Sequence, residues 1–122
     1  MKIIIAGAGE VGFHLAKLLS FESQDITLID NEKANLKYAD THLDIKVVKG
    51  NSASLAVLNE AAVSSADLMI AVTSSETTNF TTCVLAKQLG VKSTVARISN
   101  TEYVSSIGDI DFKSLGIDEL IS

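Results

Sequence analysis

A chain of 122 residues can hold one domain around a single core and is too short for two ordinary ones. Its net charge of −5 and pI near 4.8 argue against nucleic acid and anionic membrane surfaces as partners. No apolar run approaches the roughly eighteen residues that span a bilayer, so direct membrane insertion is not expected.

The remaining composition agrees with a cytoplasmic globular protein. Apolar residues make up 47% and aromatic residues 5%, which predicts an aliphatic core. The single cysteine, Cys83, cannot form an internal disulfide, as suits a reducing compartment. Met1-Lys2-Ile3-Ile4-Ile5 runs straight into a glycine turn and does not read as a secretory signal.

In chain order, Lys2–Ala6 reads as a strand, Gly7-Ala8-Gly9-Glu10-Val11-Gly12 as a turn, and Phe13–Leu19 as an amphipathic helix. Strand, glycine turn and helix form the first unit of a dinucleotide-binding fold. Gly7 would permit the turn, Gly9 would let a pyrophosphate approach the backbone, and Gly12 would let the helix pack close to the strand. Asp30 closes a second apolar strand, Ile26–Ile29. At that distance from the glycines, its carboxylate is placed for the hydroxyls of an adenosine ribose.

Asn31 is a candidate cap for a second helix, Glu32–His42. Ile45–Val48 predicts a third strand ending at Gly50-Asn51-Ser52. A helix over Ala53–Ala62 follows, with Leu55, Leu58 and Ala62 on one face. Asp67–Val72 reads as a fourth strand, apolar enough to be covered on both sides. Thr73-Ser74-Ser75 breaks it before a long helix, Glu76–Leu89, which Gly90 ends. Thr94–Ile98 predicts a fifth strand, and a fifth helical region from Thr101 is interrupted or extended around Gly108 to Asp111. Gly116–Ile121 predicts a sixth strand. The alternation implies an α/β, Rossmann-like, doubly wound parallel sheet of about six strands, in the order 3-2-1-4-5-6.

Ligands of such sheets bind at the carboxyl ends of the strands beside the switch point, which here lies between strands one and four. Asn51 offers a donor and an acceptor to an adenine edge, or it caps the following helix; Ser52 could cap as well. Thr73 and Ser74 face the glycine turn across the switch point and can meet the pyrophosphate or second ribose, or they cap the long helix. Arg97, the sole arginine, can neutralise phosphates or pair with Glu76 or Glu102. Glu10 disfavours a triphosphate beside it, and Asp30 disfavours the 2′-phosphate of NADP. Both therefore favour NAD(H), or an adenosine nucleotide of low charge, over NADP(H). His14, His42 and Cys83 form no metal or catalytic pattern, and no acid–base pair or nucleophile is apparent.

With these residues assembled, the chain resembles the N-terminal nucleotide-binding domain of the TrkA family of potassium uptake regulators, also called RCK or KTN domains. The resemblance rests on Ile4–Gly12, Ile29-Asp30, Gly50-Asn51 where the family has Gly-Asp, Ser65–Thr73, Asn79, Leu85–Lys87, Val95–Ile98 and Leu115–Ser122. It implies NAD(H) held by Gly7, Ala8, Gly9, Glu10, Val11, Gly12, Asp30, Asn51, Thr73, Ser74 and Arg97. ADP or ATP is the alternative, although ATP-reading relatives carry a basic residue at the position of Glu10. It also implies homo-oligomers, dimers or higher, acting at the inner face of the membrane on a potassium transporter or channel subunit. Relatives continue through a helix and a C-terminal domain, so this chain is expected to be part of a longer regulator; Ser105 to Phe112 depart from the common pattern. The expected role is a sensor without enzymatic activity. Rival readings are the cofactor-binding half of an NAD-dependent oxidoreductase and a structural dimerisation module.

Overall fold

Three consecutive isoleucines, Ile3, Ile4 and Ile5, set the middle of the sheet, each at most 2% exposed. β-branched chains prefer the pleat, and a parallel strand buried on both faces can be apolar without interruption. The computed structural model describes residues 1–105 and 108–122, apart from the Val104 side chain. Its strands are β1 (Lys2–Ala6), β2 (Asp25–Asp30), β3 (Lys46–Lys49), β4 (Leu68–Ala71), β5 (Ser93–Arg97) and β6 (Glu119–Ile121). They form one sheet in the order β3-β2-β1-β4-β5-β6, every pairing parallel, as predicted.

Successive side chains of β1 serve two cores. Ile3 and Ile5 pack with Ala16 of α1 (Glu10–Ser20) and with Leu36 and Ala39 of α2 (Lys33–His42). Ile4 and Ala6 face the other layer. There they join Leu58 of α3 (Leu55–Glu60) and Cys83 and Ala86 of α4 (Glu76–Leu89). The core is aliphatic, as the composition implied: its largest fully buried side chains are chiefly Ile, Leu and Met.

Helix boundaries follow local hydrogen-bonding chemistry. α4 begins where predicted because Ser75 accepts from the Thr78 N–H, and it ends at Gly90, whose φ of +116° closes the last turn. α2 does not start on an Asn31 cap. It starts one residue later, after Glu32, whose N–H is taken by Asp30 Oδ1. α3 is shorter than the predicted Ala53–Ala62 because Ser54 is its cap and Ala62 turns left-handed at φ 57°. Leu55 is therefore 53% exposed, Ala62 lies outside the helix, and Leu58 with Ala61 makes the buried contact. β6 spans only the last three residues of the predicted sixth strand. α5 covers Thr101–Ser105; Gly108 to Asp111, where that region was expected to be interrupted or extended, lie outside any helix, and Ser106 and Ile107 lie outside the described residues.

An internal ion pair ties α4 to the β6 edge. Asp118 Oδ2 accepts from Lys87 Nζ at 2.7 Å and from the Thr94 N–H at 3.0 Å. Burial opposes charge on Asp118, but the Lys87 ammonium and the Thr94 N–H outweigh it and hold the carboxyl below its ordinary range. A depressed folded-state pKa stabilises the fold fully above the unfolded value of about 4 and is lost as pH falls through the folded value. Asp118→Asn should cost about 1–2 kcal/mol at pH 7 and much less at pH 3. Urea titrations at the two pH values check this; an equal cost at both would show that the charge contributes nothing.

Candidate functional site

The carboxyl ends of the strands open into a cleft of about 560 Å³ at the point where the strand order turns. That volume lies within the range of small-molecule sites. The β1–α1 turn contributes Gly7, Gly9, Glu10 and Val11, and the end of β2 contributes Asp30. Asn51 and Ser52 follow β3, Thr73 and Ser74 follow β4, and Arg97 ends β5. Two residues expected at the site, Ala8 and Gly12, are buried and do not line the cleft. They shape it from behind.

The turn is built by close backbone contact. Gly7 adopts φ +110°, and a Cβ on it would lie 2.9 Å from the Thr73 nitrogen. A Cβ on Gly12 would lie 1.6 Å from the Gly7 carbonyl oxygen, so α1 rests directly on the turn. Beside Gly9 there is open space. Phe13 N–H makes the first helical bond of α1, to the Gly9 carbonyl, and no side chain caps the helix. The preceding N–H groups are left for an anion or water, with the positive end of the helix dipole behind them. α3 and α4 differ, since Ser54 and Ser75 cap them.

Asp30 both organises the turn and faces the cleft. Its Oδ2 accepts from the Ala8 N–H at 2.6 Å and its Oδ1 from the Glu32 N–H at 2.7 Å. One carboxylate thus ties the glycine turn to the start of α2. Each oxygen retains a lone pair for a ribose hydroxyl.

Other expected contacts are redistributed. Thr73 N–H donates to Asn79 Oδ1, and its hydroxyl also lies 2.7 Å from that oxygen, so Thr73 is a wall rather than a free donor. Ser74 is exposed beside it. Neither residue caps α4; Ser75 does. Ser52 is not a cap either, because its hydroxyl is buried against Thr82 Oγ1 at 2.8 Å. Asn51 spends Oδ1 on the Ala53 N–H, which leaves its Nδ2 as the group able to meet a ligand.

The Arg97 guanidinium makes no ion pair with Glu76 or Glu102. Glu76 accepts from the Ser99 hydroxyl and N–H, both at 2.8 Å, and these bonds hold its carboxyl below the ordinary range. Arg97 is therefore the only base among the described residues lining the cleft, opposite Glu10, Asp30 and Glu32.

Sequence reading missed the polar lining residues Asn31, Glu32, Asn35, Ser75 and Thr78. Asn31 and Glu32 follow Asp30 directly, and Asn35 and Thr78 lie in the first turns of helices that start at strand ends. The end of each strand, followed for one helical turn, was the available signal.

Cys83 lies in α4 away from the cleft. Burial, followed by the nearby Asp118 charge, pushes its thiol up to about 12. His14 and His42 are exposed, and among the described residues no group of three or more His, Cys, Asp or Glu could hold a metal.

The sequence profile of the TrkA-N domain matches residues 3–122. A Trk system potassium uptake protein TrkA homolog of Methanothermobacter thermautotrophicus is 36% identical over 122 residues, which are 100% of this chain and 54% of that protein. The Trk system potassium uptake protein TrkA of Haemophilus influenzae is 42% identical over 124 residues, 100% of this chain and 27% of that protein. The chain thus spans about half of the first relative's length and about a quarter of the second's. Among solved structures, the GsuK channel bound to NAD superposes with a TM-score of 0.80 at 17% identity, over 98% of this chain and 21% of that one.

Gly12→Ala should destabilise the protein by about 3 kcal/mol or more, since the new methyl meets backbone and not a movable side chain. Urea unfolding measures this, and a cost below about 0.5 kcal/mol would contradict the contact. Native Cys83 should stay unlabelled by an aromatic disulfide reagent at pH 8 and react fully in denaturant. Fast labelling of the native protein would show that the thiol is accessible.

Proposed function

The chain belongs to the TrkA-N domain family, and we propose that it is the nucleotide-sensing part of a potassium uptake regulator, with NAD(H) as its ligand. The charge pattern of the cleft carries this choice. An uncapped helix end and one arginine suit a pyrophosphate, while Glu10, Asp30 and Glu32 oppose any further phosphate.

In this reading the adenosine ribose lies on Asp30, the pyrophosphate lies along Gly9 to Val11, and Arg97 neutralises it. Asn51 Nδ2 meets the adenine edge, and Ser74 meets the second ribose. Asp30 and Glu32 together reject the 2′-phosphate of NADP. In this reading the cleft is a binding site. The names of the relatives point the same way, toward potassium uptake, and the GsuK channel is itself bound to NAD.

No helix among the described residues is long and apolar enough to cross a membrane. In this reading the membrane part is a transporter or channel subunit, which this domain contacts from the cytoplasm as a dimer or larger ring. The nucleotide biases that assembly only by the difference between its affinities for two arrangements of the paired domains.

Calorimetric titration with NADH, NAD, NADPH, ADP and ATP tests the ligand. NADH and NAD should bind, with NADPH and ATP at least about tenfold weaker for each unfavourable charge pairing of about 1.4 kcal/mol. Asp30→Ala should cost about 1–3 kcal/mol of NADH affinity. Tight ATP binding without a response to NADH would replace the ligand, and no binding at all would favour a structural module.

A further inference from the structure

Asn79 is fully buried in the second turn of α4, yet it is polar, and the burial of an amide is tolerated only when its hydrogen bonds are made. All four are made. Its Oδ1 accepts from the Thr73 N–H at 2.9 Å and from the Thr73 hydroxyl at 2.7 Å. Its Nδ2 donates to the Thr73 carbonyl at 3.2 Å and to the Arg97 carbonyl at 3.1 Å.

The place where these bonds fall gives them a purpose. The ladder between β4 and β5 ends at the pair Ala71–Ala96. Past it, the Thr73 N–H goes to Asn79 and no backbone bond joins Thr73 to Arg97. The Asn79 side chain, an amide like the backbone, supplies the link. It fixes the only arginine of the cleft relative to Thr73, and the Thr73 nitrogen is what Gly7 rests against. One link from the glycine turn to the Arg97 backbone, beside its pairing to β6, therefore runs through Asn79. Asp30 and Asn51 are held separately, by Ala8, Glu32 and Ala53.

We infer that Asn79 is a positioning residue for the distal half of the nucleotide: it holds Thr73, Ser74 and Arg97 in place for the second phosphate and second ribose, and has no part in holding the adenosine half. The inference rests on the dinucleotide reading above.

The test compares NADH with AMP, which carries the adenosine half and one phosphate. Asn79→Asp keeps the shape and the acceptors but sets a carboxylate against two carbonyl oxygens; Asn79→Leu removes every bond. Both variants should bind NADH at least about tenfold more weakly, a loss near that of one or two hydrogen bonds, and AMP within about threefold of the parent. Equal losses for the two ligands would reduce Asn79 to a general stabiliser, and unchanged NADH affinity would remove it from the site. In the parent chain, hydrogen exchange offers a check that needs no variant and no ligand: the Thr73 amide should be strongly protected. Rapid exchange there would overturn the inference even if both variants fail to fold. A parent chain that binds no NADH but protects Thr73 would count against the nucleotide reading and, with it, against a role for Asn79 in binding.

Discussion

A contact without any side chain lies at the centre of this protein. Gly12, in the first turn of α1, meets the carbonyl of Gly7 so closely that a single methyl would overlap it. Gly7 in turn rests on the backbone of Val72 and Thr73. The helix, the turn and the end of β4 are thereby brought nearer than any residue with a Cβ would allow. Removing side chains also removes caps. α1 starts without a side-chain cap, and its first N–H groups have no helical partner where the turn borders the cleft.

Two polar side chains, one on either flank, hold this centre in register. On the β2 side, Asp30 bonds the turn at Ala8 and α2 at Glu32. On the β4 side, Asn79 bonds Thr73 and Arg97. Each replaces backbone pairing at the place where neighbouring strands stop pairing, which is also where the cleft opens. Unpaired backbone groups are costly to bury, so a fold that splays its strand ends must answer them with side chains. Of the two side chains, Asp30 also lines the cleft, while Asn79 braces it from behind.

The elements most legible from sequence were those whose ends carry their own chemistry. The span of α4 was readable because Thr73-Ser74-Ser75 and Gly90 bracket it, although the cap is Ser75 and not Thr73 or Ser74. The start of α2 was not, since Asn31 looked like a cap while Asp30, free to reach over the next residue, took the Glu32 N–H. α3 was misplaced for a similar reason: three polar residues precede it, and only the fold shows that Ser52 is buried against Thr82 while Ser54 caps. Most of the expected site residues do meet in one cleft, and their individual duties differ from expectation wherever a protein partner outside the local sequence claims a hydroxyl or an amide.

The order of strands, the glycine turn and the acid after the second strand were determined by the sequence alone, because periodicity, glycine geometry and the handedness of crossovers are local or nearly local constraints. Tertiary structure decided which polar atoms remain available. Thr73 is spent and Ser74 is not; among the described residues Arg97 makes no ion pair, while Glu76, whose charge it feels, bonds Ser99. Such outcomes depend on partners as many as 23 residues away along the chain, and a hydrogen bond satisfied at that distance leaves no trace in the local pattern.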